Sequence, residues 1–297
     1  MAQGLKAGPK TLLVAVSSRE GAPGTGKSLF KGSATGLLLP VVLRWFEHSQ
    51  VYHPSRLMEA TGAELGRPFE DVWFRAKDGV ELNGWFFPGD THSARGGLAL
   101  LFCHGNAGNI SHRLDAVRGL LSTGVSVFLF DYRGYGRSRG RPSEEGTYSD
   151  AEAAYRWLES KGFAGKKIVL FGESLGGGVA AELATRLPVA GLVLQSTFTC
   201  IPDIGAELFP WLPVRFLARI NYDTHSKLPR IKVPVLIMHS RADRLVRFQH
   251  SQRNFAAANS PKLFCELAGD HNDSISDPSR YLGDLKKFLQ VIESSAK

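Results

Sequence analysis

From about residue 68 the chain alternates between two rhythms of apolar and polar positions. "DVWFRAKDGVELNGWFFPG" reads as two strands joined by a Lys-Asp-Gly turn, a hairpin. Beyond it come short, unbroken apolar runs: "LALLFCH", "VSVFLFD", "KIVLFGE", "AGLVLQS", "VPVLIMHS" and "KLFCEL". Their length and β-branched or aromatic content mark them as buried strands. Between and after them lie segments of helical period: "SHRLDAVRGLLSTG", "SDAEAAYRWLESKG", "LGGGVAAELATRL" and "DPSRYLGDLKKFLQVIESS". The second of these is expected to be capped by Ser149 and closed by Gly162. Strands that are apolar on both faces need helices on both faces. The expected fold class is therefore α/β, a mostly parallel central sheet flanked by helices. Residues 197–232, rich in Pro and aromatics, interrupt the alternation and are too long for a plain connection. They are expected to form a small helical cap insertion over the strand ends.

In such sheets the reacting groups lie at the carboxyl ends of strands. The pattern G-x-S-x-G occurs twice, as "GRSRG" at 136–140 and "GESLG" at 172–176. Chance alone gives roughly 0.3 matches in a chain of this composition, so context has to decide. Ser174 follows an apolar strand directly and opens a helix directly, the sharp turn that lifts a serine Oγ out of a sheet. Ser138 has only a loop after it and reads as a turn residue. A serine hydroxyl needs a base, usually His, oriented by a carboxylate. Asp243 follows the strand "VPVLIMHS", and His271 follows the strand "KLFCEL". Ser174, Asp243 and His271 thus come in the chain order Ser, acid, His, at three strand ends. Asp270 and Asp273 compete for the acid role, but only Asp243 leaves its own strand end. His239 reads as part of the acid's loop, and the other histidines fall in arms, helices or loops away from such ends. The loop "CHGNAGN" after the strand at 98–104 supplies one oxyanion-hole amide, Asn106, and the residue after the nucleophile, Leu175, supplies the other. His104 reads as a loop-fixing residue. Phe198, Phe209, Trp211, Leu212 and Phe216 are substrate-pocket candidates, with burial in a cap core as the equal alternative.

Residues 34–67 read as an amphipathic N-terminal extension, and 36–47 as a point of peripheral membrane contact. Residues 1–33 hold one acid, Glu20, and read as a flexible basic arm or a targeting segment. Within them "GAPGTGKS", 21–28, matches the phosphate-loop pattern letter for letter. That pattern would have to leave a buried strand and open a helix. The following "LFKGSATGLLLP" is a poor helix start, and the residues before 68 are too few for a nucleotide-binding domain. The match is read as a linker.

The composition is ordinary for a globular protein: 297 residues, 43% hydrophobic and 22% charged. The formal charge of +8 comes from scattered basic residues, with no nucleic-acid motif, so no nucleic-acid partner is expected. Three cysteines without metal spacing (Cys103, Cys200, Cys265) suit a reducing, cytoplasmic setting. Membrane association, or an organelle address in residues 1–33, is compatible with the rest.

Five stretches, "HGNAGN", "DYRGYGRSRG", "GESLGGGVA", "RADRLV" and "GDHND", together give the chain a resemblance to the α/β-hydrolase superfamily over about residues 70–293. In detail it looks like the serine-hydrolase branch with acyl-protein thioesterase-like and monoglyceride-lipase-like members. The resemblance implies an α/β-hydrolase domain at 68–297, a Ser–His–Asp triad, no cofactor and no metal. It also implies hydrolysis of ester or thioester bonds in a small-molecule, lipid or acyl-protein substrate. A peptidase, or a partner-binding protein that has lost turnover, is the alternative. The chain departs from the pattern at "SRAD" and at Arg247. Arg241, Arg244 and Arg247 would either favour an anionic substrate or form a solvated basic loop.

Overall fold

The apolar runs become eight strands of one sheet. The computed structural model describes residues 35–273 and 277–295. The sheet and every candidate site residue belong to one compact unit that begins at Val42. "GAPGTGKS" and the arm at 1–33 lie outside the described residues.

The strands of this sheet are β1 (Glu70–Arg75), β2 (Glu81–Phe87), β3 (Ala99–Cys103), β4 (Ser126–Phe130), β5 (Ile168–Glu173), β6 (Gly191–Gln195), β7 (Val235–Ser240) and β8 (Lys262–Leu267). Their spatial order is β8-β7-β6-β5-β3-β4-β2-β1. β1 and β2 pair antiparallel as the expected hairpin, β2 joins β4 antiparallel, and all other pairings are parallel. The order reverses around β3, and in sheets of this kind ligands bind beside the strand ends at such a reversal.

The helices are α1 (Thr35–Val51), α2 (Leu114–Leu121), α3 (Glu144–Ser160), α4 (Leu175–Arg186), α5 (Ile201–Leu208), α6 (Val214–Leu217), α7 (Phe248–Ala257) and α8 (Pro278–Ser295). Alternate residues of each central strand enter opposite cores. Leu101, Phe128, Leu170, Leu192 and Ile237 meet Ala154 and Tyr155 of α3 and Val179 and Leu183 of α4. Leu100, Phe102, Leu129, Phe171, Val193 and Met238 meet Val117 and Leu120 of α2 and Leu285, Phe288 and Ile292 of α8. Among the described residues no helix is long and apolar enough to cross a membrane.

Two local readings differ from expectation. α3 starts five residues before Ser149, capped by Ser143, whose Oγ accepts from Gly146 N at 3.2 Å. Glu144 and Glu145 in its first turn suit the helix's positive end. Gly162, at φ 92°, follows its C-terminus as expected. The helix α7, between the acid loop and β8, carries "FQHSQRNFAA", too polar and short to show its period in the sequence.

The loop after β4, "DYRGYGRSRG", is held by one buried cation. Arg133 donates from Nη2 to Asp150 Oδ1 of α3 at 2.7 Å and from Nη1 to Asp78 Oδ2 at 2.7 Å, and its backbone N–H reaches Asp150 Oδ2 at 2.8 Å. Asp150 is fully buried and Asp78 is half exposed. Ser138 is likewise structural: its Oγ donates to Asp131 O at 2.7 Å and accepts from Asn83 N at 2.9 Å. Removing one partner of a buried pair leaves an uncompensated charge. Arg133→Ala is expected to cost about 3–5 kcal/mol in a urea melt, because it strands Asp150. Asp78→Ala, which breaks the exposed half, is expected to cost under about 1 kcal/mol in the same measurement.

Candidate active site

β5 ends at Glu173 and α4 begins at Leu175, so Ser174 alone makes the turn between them. Its backbone sits at φ 52°, ψ −115°, a region L-residues rarely adopt. Ser174 N–H donates to Gln195 O of β6 at 2.8 Å, and Gly177 N–H donates to Ser174 O at 3.0 Å. The bend is also tightly packed. A Cβ on Gly172 would strike the Gly177 backbone, and one on Gly176 would strike the Cys103 carbonyl, so side chains are excluded from both. Ser174 is 6% exposed, with its Oγ 3.1 Å from His271 Nε2.

His271 lies in the turn after β8. Its Nδ1 is 2.7 Å from Asp243 Oδ2. Asp243 follows β7 by three residues, and its Oδ1 accepts from Leu245 N at 3.0 Å and Val246 N at 2.8 Å. Burial would raise the Asp243 carboxyl. Its polar contacts with His239 and His271 and the Val246 amide more than reverse that, so it lies well below the usual carboxylate range. His239, wholly buried on β7, donates from Nε2 to Val246 O at 2.8 Å and stands 3.4 Å from Asp243 Oδ2.

The rival acid Asp270 does a different job. Its Oδ1 accepts from His271 N at 2.8 Å and Arg244 N at 3.0 Å, and its Oδ2 accepts from Arg244 Nε at 2.9 Å. It buckles the acid loop to the histidine loop. Its carboxyl is held low, first by the Arg244 amide and then by the His271 amide. Asp273 donates its N–H to Asp270 O at 3.0 Å. All three loop arginines are paired: Arg241 with Glu266 at 2.9 Å, Arg244 with Asp270, and Arg247 with Glu207 at 3.6 Å. All three side chains are exposed, so these are surface pairs.

The loop after β3 lies against the elbow, where a Cβ on Gly105 would be 3.6 Å from Ser174 Cβ. Asn106 is fixed by its other groups. Its carbonyl accepts from His53 N at 3.0 Å and Tyr135 OH at 2.8 Å, and its Nδ2 donates to Val51 O at 3.0 Å. Among the described residues no hydrogen bond uses the N–H of Asn106 or of Leu175. His104 is fully buried, with Nδ1 2.7 Å from Gly105 O and Nε2 3.5 Å from Asp131 Oδ1. Asp131 is buried too and accepts from Ile110 N at 3.0 Å, which makes it a brace for this loop.

One pairing across this site has no local sequence signal. Arg113 donates from Nε to Glu173 Oε2 at 2.9 Å and from Nη2 to Ala107 O at 3.1 Å, tying the loop after β3 to the elbow. The five pocket candidates do not sit alike. Phe198 is buried in the core, Phe209 and Leu212 are half-buried, and Trp211 and Phe216 are 75% and 90% exposed. Among the described residues no group of three His, Cys, Asp or Glu side chains is placed to hold a metal.

A protein-family profile described as alpha/beta hydrolase fold matches residues 99–221. An uncharacterized protein of Mycobacterium tuberculosis is 40% identical over 243 residues, covering 80% of this chain and 85% of its own. The alpha/beta hydrolase domain-containing protein WAV2 of Arabidopsis thaliana is 36% identical, covering 77% of this chain and 82% of its own. Among solved structures, the Pyrococcus furiosus esterase Pf2001 has a TM-score of 0.67 at 23% identity, covering 80% of this chain and 98% of its own. An alpha-beta hydrolase from Vibrio vulnificus has a TM-score of 0.64 at 19% identity, covering 91% of this chain and 98% of its own. Sheet order, elbow and relatives agree: this chain belongs to the α/β-hydrolase family.

Proposed function

We propose that the chain is a serine hydrolase that cleaves carboxylic ester or thioester bonds through an acyl-enzyme. The observation that carries this reading is the unbroken relay Ser174 Oγ, His271, Asp243, with links of 3.1 Å and 2.7 Å. His271 Nε2 takes the Ser174 hydroxyl proton as Oγ attacks the acyl carbon. The N–H groups of Asn106 and Leu175 hold the oxygen that gains charge, and the dipole of α4 adds positive potential at its N-terminus. His271 then returns that proton to the leaving alkoxide or thiolate as the bond to the acyl carbon breaks. A water gives His271 its proton and attacks the acyl-enzyme, and the proton passes back to Ser174 Oγ as the acid departs. Asp243 stays ionised throughout and holds the imidazole in the right tautomer. The Pyrococcus furiosus neighbour is an esterase, which is in keeping with this chemistry.

Three measurements test the reading. A fluorophosphonate probe is expected to label the wild-type protein and not Ser174→Ala; a folded wild type that resists the probe and leaves short esters and thioesters intact would overturn it. Turnover of amides but not esters would replace it with a peptidase reading. Asp243→Asn is expected to lower kcat by about 10⁴, since the imidazole loses its orienting carboxylate.

Because the folded-state value of Asp243 is depressed, its contribution to stability is fully present above the unfolded value of ~3.9. It is lost as pH falls from there toward the depressed value. Melting temperatures of wild type and Asp243→Asn are therefore expected to differ most near neutral pH and to converge as pH drops below about 4. A gap that stays constant across that range would show that the Asp243 charge contributes nothing to the fold.

A further inference from the structure

Several large apolar side chains face solvent outside the relay. Leu57, Trp73 and Leu245 stand singly, whereas Val42 and Trp45 on α1 and Leu208, Trp211, Phe216 and Leu217 on the segment after β6 fall in two segments. Exposed apolar residues scattered singly need no explanation, but a contiguous group of aromatics does. Contacts join the two segments. The Phe46 ring meets Phe209 edge-on at 5.8 Å, and Phe209 meets Trp211 at 6.4 Å. Glu47 Oε1 accepts from the N–H groups of Arg219 at 2.7 Å and Ile220 at 2.9 Å. The outer members of the group stand clear of this seam: Trp45 is 71% exposed and Phe216 is 90% exposed.

Within the two segments the charges have one sign, and Glu207, just before Leu208, is paired with Arg247. Residues 42–46 and 208–219 contain Arg44, Arg215 and Arg219 and no acid. Glu47, the nearest carboxylate on α1, is taken up by backbone amides. Arg44 and Arg219 are exposed and form no ion pair among the described residues. Arg215 shares Asp203 with Arg253, so that cluster keeps net positive charge. Tryptophan and phenylalanine standing proud beside unpaired arginines suit the headgroup layer of a bilayer, where rings enter the acyl boundary and cations meet lipid phosphates. Acidic headgroups would add attraction of about fivefold in affinity per arginine near the surface.

We infer that the surface formed by Val42, Trp45, Trp211, Phe216, Arg44 and Arg219 docks on an anionic lipid bilayer. This property is separate from turnover. The segment after β6 starts beside the elbow, since Ser174 N–H is bonded to Gln195 at the end of β6.

The test is co-sedimentation of the full chain with vesicles of phosphatidylcholine alone or mixed with phosphatidylserine. Wild type and Ser174→Ala are expected to bind the mixed vesicles alike, about tenfold or more tighter than the neutral ones, and less tightly as salt rises. Trp211→Ala/Phe216→Ala is expected to lose about tenfold or more of that binding, with an unchanged melting temperature. Trp73→Ala, an exposed aromatic on the edge strand β1, is expected to bind like wild type. Failure of the wild type to bind would overturn the inference. So would full binding by the double variant, which would assign attachment to the basic residues at 1–33. Lipid-free dimerisation in light scattering that the double variant abolishes would also overturn it, by making a second copy the occupant.

Discussion

The site depends on a single backbone bend. Ser174 occupies φ 52°, ψ −115°, a conformation costing of order 1–3 kcal/mol for a residue with a side chain. The surroundings over-determine it. β6 holds the Ser174 amide, the first turn of α4 holds its carbonyl, and the glycines on either side leave no room for relaxation by rotation of a neighbour. The result is a hydroxyl at the end of a central strand, at the start of a helix and against the loop after β3.

The other parts of the site are held by pairings that cross between loops. Asp270 binds the amides of Arg244 and His271, Ser240 Oγ donates to Gly269 O, and the Arg113–Glu173 pair ties the elbow to Ala107. Each loop leaves a different strand, so each crossing bond fixes one strand end against another. A relay with links near 3 Å needs that precision, because a shift of about 1 Å in such a site costs on the order of 10²-fold in rate.

Much of this was legible in the sequence, for physical reasons. Strands buried on both faces leave unbroken apolar runs, and these showed the sheet and the strand ends to which Ser174, Asp243 and His271 belong. A strand that runs straight into a glycine-rich helix start leaves few alternatives to an elbow. Features that depend on partners far apart in the chain were not legible. Arg113 and Glu173 meet across sixty positions. Asp243 stood out in the sequence because it alone leaves its own strand end, but nothing there showed that Asp270 would turn to the amides of Arg244 and His271. Ser143 took the cap expected at Ser149 because two glutamates follow it directly, a signal outweighed in the sequence by the later apolar period. The apolar residues of 197–232 carried no sign of which would be buried, so Phe198 and Phe216 looked alike although one lies in the core and the other in solvent.

The central claim is that the acyl group passes through Ser174. The most direct measurement is mass spectrometry of the protein quenched during turnover of a slowly deacylating activated ester, with the adduct mapped by peptide fragmentation. The account predicts one acyl group, on the Ser174 side chain, that disappears as substrate is exhausted. Steady product release with Ser174 unmodified, or an adduct that forms and decays on another side chain, would contradict it.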